Sequence, residues 1–168
     1  MKTLPQKFQP LALSILLAGS ASVAMLPQCV YAYDETSTGS INVDGQNIIL
    51  RGYDPVAYFT EQKPTLGDKK FSTTFGGAVY LFASAENQKA FEANPAKFAP
   101  QFGGYCAMGA ALGKKLDGDP EVWKVVDGKL YLNVSSDAMV KWSEDIPGNL
   151  EKANENWPLI KDKAAQDL

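Results

Sequence analysis

The 168-residue chain contains no histidine. A histidine general base is therefore excluded, with every Ser-His-Asp or Cys-His nucleophile arrangement and the commonest ligand of zinc and copper(II). Cysteine is almost as scarce, Cys29 and Cys106 being the two present. Beyond residue 32 there is no long apolar run, so nothing there approaches the ~20 residues of a membrane-spanning helix. Basic charge is also short, 16 Lys and Arg standing against 19 Asp and Glu. That balance argues against nucleic acid and anionic membrane surfaces as partners.

The one apolar run, Leu11 to Leu26, follows Lys2 and Lys7 and precedes Pro27 and Val30-Tyr31-Ala32. This is the pattern of a secretory signal, with small residues at the third and first positions before a cut after Ala32. Residues 1–32 are read as a signal peptide, and export to the periplasm or the extracellular space follows. Two rivals use the same residues: an uncleaved anchor, for which the run is short, and a lipoprotein at Cys29, where Gln28 stands in place of the expected small residue. Cleavage after Ala32 leaves 136 residues with Cys106 as the single cysteine. No intrachain disulfide can then form. Loss of Lys2 and Lys7 leaves 14 basic residues against 19 acidic, a net charge of −5. The remaining length suits one domain with its own core, helped by Trp123, Trp142 and Trp157.

Taken in order, residues 33–40 are polar and read as a frayed leader, and Ile41 to Leu50 as a first strand or irregular hairpin. Asp54 before Pro55 predicts a capped short helix to about Thr60. Phe71–Phe75 and Ala78–Phe82 flank Gly76-Gly77, a two-residue hairpin signal. Ser84 caps a helix to about Ala93, and Asn94-Pro95 starts another through Phe98. Val122–Val126 and Lys129–Val134 around Asp127-Gly128 form the clearest hairpin. Ser135 or Ser136 caps a helix to about Trp142, and a last helix runs from Leu150 to Trp157, ahead of Pro158. Residues 161–168 read as a mobile tail, and no internal repeat is visible. Hairpins joined by short helices imply an α+β fold: a small antiparallel sheet with several short helices packed on it.

The stretch Phe98 to Gly113 stands out because Gly103 and Gly104 precede Cys106, and Met108 follows it. Together with Gly52-Tyr53-Asp54-Pro55-Val56-Ala57-Tyr58-Phe59, Tyr80 to Asn87, Phe91, Pro95 to Phe98, Gly103 to Ala107 and the Trp123 to Leu132 hairpin, it resembles the YHS-domain family. The likeness is to its secreted single-domain bacterial members, and covers residues 51–160. The resemblance implies a small metal-binding or accessory module. The family's metal-holding cysteines, around an FCS-x-x-C pattern, match Ala83 and Asn87 here, so that ligand set is not carried over.

Cys106 and Met108 are the candidate metal residues, and soft sulfur donors point to copper(I) as the cofactor. Two residues apart on a helix point to different sides, so such a pair converges only on a non-helical segment. Tyr53, Asp54, Tyr58, Gly103, Gly104 and Tyr105 are the candidate ligand surface. No catalytic constellation is found. The sequence thus supports an exported, non-enzymatic module that handles copper(I) or serves a periplasmic partner protein. The alternative is a small-ligand or protein-interaction module with Cys106 as a buried structural thiol.

Overall fold

The computed structural model describes residues 33–168; the expected signal peptide, its cleavage site and Cys29 lie outside the described residues. The architecture is α+β, two separate two-stranded antiparallel sheets with six helices. No helix among the described residues is long and apolar enough to cross a membrane.

The chain first turns tightly through Leu50, Arg51 and Gly52, all at positive φ. Tyr53 then bridges Leu66, and Asp54 introduces α1 (Ala57–Thr60). Strands β1 (Asp68–Phe75) and β2 (Ala78–Phe82) pair through Gly76-Gly77, whose φ values of 60° and 90° are those a type I′ turn demands. Ser84 Oγ accepts from Asn87 N at 3.1 Å and opens α2 (Ala85–Ala93). Asn94 Oδ1 caps α3 (Pro95–Phe98) in the same way.

The same series then runs again. Phe102, Gly103 and Gly104 turn at φ 52°, 60° and 84°, and Tyr105 bridges Asp117. Cys106 introduces α4 (Ala107–Ala111). Strands β3 (Asp119–Val126) and β4 (Lys129–Asn133) pair through Asp127-Gly128, both at positive φ. Ser135 Oγ caps α5 (Ser136–Ser143), and Asp145 Oδ1 caps α6 (Ile146–Ile160). Even the irregularity recurs: Asp68 faces Phe82 before the register resumes at Ser72 and Leu81, and Asp119 faces Asn133 before it resumes at Trp123 and Leu132. The absence of an internal repeat in the sequence reading is thus corrected. The two halves keep the backbone turns and the placing of the caps but exchange many of the residues that make them, Asp54 for Cys106, Asn94 for Asp145 and Gly76 for Asp127, which hides the correspondence from a linear scan.

Two cores result, the first shared by both halves and the second built by the second half alone. Phe91 of α2 sits with Tyr80, Phe82, Ile49 and Leu130, whereas Trp142 of α5, at the corresponding place, sits with Tyr131, Phe102 and the small face of α4. Both rings are fully buried. The buried alanines 107, 110 and 111 let α4 lie close to α6 at Ala153, and α6 has no counterpart of its length in the first half. That last helix begins four residues earlier than expected, because Asp145 caps it and Pro147 suits its first turn. It also continues through Pro158 to Ile160.

Three further expectations change. No regular strand forms in residues 41–50; of the two readings the irregular hairpin holds, Val43 bridging Ile49 antiparallel, with Ile48 bridging Val79. Residues 33–42 are not frayed but lie against the second half, Asn42 N donating to Gly103 O at 2.9 Å. The tail is tied down as well, with Ala164 buried and Gln166 N donating to Glu35 O at 3.1 Å.

Candidate functional site

The Asp54 side chain is fully buried and acts as a hydrogen-bond hub. Its Oδ1 accepts from Val56 N at 2.8 Å and Ala57 N at 3.4 Å, while Oδ2 accepts from Ala83 N at 2.8 Å and Asn87 Nδ2 at 2.7 Å. One carboxylate thereby satisfies the start of α1, the end of β2 and the first turn of α2. A group with every lone pair taken in the interior is a structural hub and leaves no room for a ligand.

Cys106 holds the corresponding place in the second half, fully buried at the N-terminus of α4 rather than in its first turn. Its Sγ accepts from Gly109 N at 3.3 Å and donates to Asn133 Oδ1 at 3.4 Å. Asn133 Oδ1 in turn accepts from Met108 N at 3.1 Å. Gly109 N and Met108 N stand where Ala57 N and Val56 N stand beside Asp54. Sulfur and amide together therefore do the work that one carboxylate does in the first half. Burial pushes the thiol above its ordinary value of 9.0, opposed by the amides of Gly109, Val134 and Met108.

These donors do not fit a copper(I) ion as arranged. Among the described residues no group of three or more His, Cys, Asp and Glu gathers. The thiol has no exposed surface, and Met108 meets the cluster through its main-chain amide while its side chain packs on the second core. The methionine whose sulfur reaches this cluster is Met139, at 3.6 Å from Asn133 Nδ2.

The expected tyrosine surface is not one surface. Tyr53 is half-buried with its hydroxyl on Glu121 Oε1 at 2.9 Å, a bond that raises its pKa. Tyr58 is buried, donating to Pro120 O at 2.9 Å, and burial drives its pKa strongly upward. Tyr105 lies in the other half, where its hydroxyl donates to Gly39 O at 2.9 Å and burial lifts its pKa to about 12. Gly103 and Gly104 are beneath residues 39–42: a Cβ on Gly103 would collide with Ser40 O.

What the structure offers instead is an open groove of about 450 Å³ between the halves, lined by Tyr58, Phe59 and Gln62 from around α1 and Trp123, Lys124 and Val125 from β3. Trp123 stands edge-on to Tyr58, their centroids 5.0 Å apart at 69°. Tyr58 was singled out from the sequence; Phe59, Gln62 and Trp123 were not. The pairing of α1 with a strand 60 residues away leaves no local signal. Comparisons with protein-family models, curated proteins and solved structures each found no match for this chain.

Proposed function

We propose that this chain is an exported, non-catalytic binding module of the YHS type, in which Cys106 is structural and the groove beside Trp123 takes a small, largely apolar ligand. The observation that carries this reading is the exchange between halves: Cys106 and Asn133 cover the two helix-start amides, Gly109 N and Met108 N, that correspond to the two that Asp54 covers. The thiol is thereby accounted for without a metal. The groove is the concave surface with aromatic walls and an amide, Gln62, at hand to orient a bound molecule.

The test is a fragment screen by two-dimensional NMR on the labelled protein, beside a copper(I) competition titration. Planar apolar fragments are expected to shift the Trp123 indole and Gln62 amide signals, to lose affinity at least tenfold in Trp123→Ala, and to bind Cys106→Ala unchanged. Copper(I) is expected to bind wild type and Cys106→Ala alike. Tight copper(I) binding that vanishes in Cys106→Ala overturns the proposal in favour of a thiolate metal site.

A further inference from the structure

Lys115 is buried to 1 % exposure, and among the described residues it forms no ion pair. Its Nζ is held instead by four main-chain carbonyls: Ser37 O at 3.3 Å, Gly39 O at 2.8 Å, Lys161 O at 3.1 Å and Lys163 O at 2.8 Å. The Tyr105 ring lies beneath it, 4.8 Å from the ammonium. Two of those carbonyls belong to the segment before the first half and two to the segment after the second. One side chain thus closes both ends of the chain onto the same face.

We infer that the face formed by Gly103, Tyr105 and Lys115 is a docking site for extended polypeptide, occupied by this chain's own residues 37–42, and that Lys115 latches this strap and the C-terminal tail so that they open together. The strap is recognised mainly through its main chain. Asn42 N donates to Gly103 O, Gly39 O accepts from both Tyr105 and Lys115, and Ser40 O fills the space that the missing Cβ of Gly103 leaves. Side chains are read as well: Asn42 Nδ2 donates to Asp117 Oδ1 at 2.7 Å, and Ile41 packs against the first core. The two ends also bond directly, Glu35 O to Gln166 N, and Tyr33 donates to the carbonyl of Lys115 at 2.7 Å.

The internal correspondence gives an independent check. In the first half Pro64 stands where Lys115 stands in the second, and the Tyr53 hydroxyl goes to the side chain of Glu121 in β3 where that of Tyr105 goes to a main-chain carbonyl of the strap. Cation and strap contact occur together in one half and are replaced together in the other. The ammonium is also what makes the assembly cooperative. Without it four carbonyl dipoles would converge in a buried space on no donor, a cost that falls on strap and tail alike.

Native-state hydrogen exchange on the full chain tests this directly. The amides of Asn42 and Gln166 are expected to share one opening free energy and one denaturant dependence, below those of Ile49 and Val79, which bond the segment 47–49 to β2. In Lys115→Met, which keeps the side-chain volume and removes the charge, both should exchange at least 100-fold faster with the hairpin amides unchanged. Openings of different free energy for Asn42 and Gln166 in the wild type overturn the inference, and so does a Lys115→Met protein in which either amide stays protected. The wild-type comparison decides the matter even if the variant fails to fold.

Discussion

Replacing Asp54 by alanine should be among the most damaging single changes in this protein. The carboxylate is fully buried and accepts four hydrogen bonds, three of them between 2.7 and 2.8 Å. Alanine leaves Val56 N, Ala57 N, Ala83 N and Asn87 Nδ2 facing an apolar space too tight to hydrate them all. At about 1.3 kcal/mol for each of the three short bonds, the expected loss is about 4 kcal/mol. A domain of this size loses about 3–4 °C of Tm per kcal/mol, so the midpoint should fall by about 14 °C. Asp54→Asn keeps one acceptor but turns an NH2 toward a donor, and about half that loss is expected. Urea denaturation followed by tryptophan fluorescence and near-UV circular dichroism measures both, with an unchanged m-value showing that the same two states are compared. A loss below about 1 kcal/mol in Asp54→Ala would refute the hub, since it would mean that water or a neighbour replaces the carboxylate without cost.

Other changes probe the rest of the fold. A neutral buried thiol stabilises the protein fully below pH 9 and progressively less as pH rises through its higher folded-state value. The stability gap between wild type and Cys106→Ala should therefore be flat from pH 7 to about 8.5 and shrink above pH 9; a widening gap in paired denaturation curves contradicts the burial argument. A Cβ on Gly67 would lie 2.5 Å from the Leu81 carbonyl carbon, and one on Gly118 would press on Gly104 O and Leu132. Both alanine variants should lose about 2 kcal/mol or more by thermal melts, and a tolerant member of the pair would show that the hairpins do not share their bulge geometry. Trp142 Nε1 is buried with no hydrogen-bond partner among the described residues. Trp142→Phe should for that reason cost less than about 1.5 kcal/mol by calorimetry, the removed orphan donor offsetting lost packing.

The elements that the sequence announced are those written in local chemistry. Gly76-Gly77 and Asp127-Gly128 dictate positive φ, and Ser84, Asn94 and Ser135 each supply an oxygen where a helix has free N–H groups, so hairpins and caps were legible to within a few residues. What escaped depends on distant partners. The strap at 37–42 looks polar and loose because most of its bonds are made by main-chain atoms, which leave no trace in residue type. Lys115 follows Lys114 with nothing in the sequence to set it apart, and only the folded chain gathers four carbonyls about it. For the site, Cys106 stood out beside Gly103 and Gly104 and was read as a metal candidate, with a buried structural thiol as the alternative; its position in the folded chain is that of a cap. Trp123 was legible as a strand residue and not as a groove wall, since its neighbour Tyr58 comes from the other half.

The two halves show why a cysteine and an asparagine stand where they do. Tyr53 and Tyr105, Gly52 and Gly104, Gly67 and Gly118, Asp68 and Asp119, Tyr80-Leu81 and Tyr131-Leu132, and Ser84 and Ser135 agree between them, whereas Asp54 answers to Cys106 and Phe82 to Asn133. The last two exchanges belong together. One carboxylate oxygen, Oδ1 of Asp54, accepts both amides of the helix start, whereas Sγ of Cys106 accepts only Gly109 N, so Met108 N needs a second group, and Asn133, rising from β4 where Phe82 rises from β2, supplies it. Cys106 and Asn133 should then behave as one unit under mutation. Asn133→Ala alone strands Met108 N and leaves the thiol without its acceptor, whereas in a Cys106→Ala background part of that loss has already been incurred. A double-mutant cycle should show a coupling of about 1 kcal/mol or more, with the double variant less destabilised than the sum of its parts. Strict additivity would mean that thiol and amide merely adjoin each other, and that the second half solved the loss of its carboxylate in some other way.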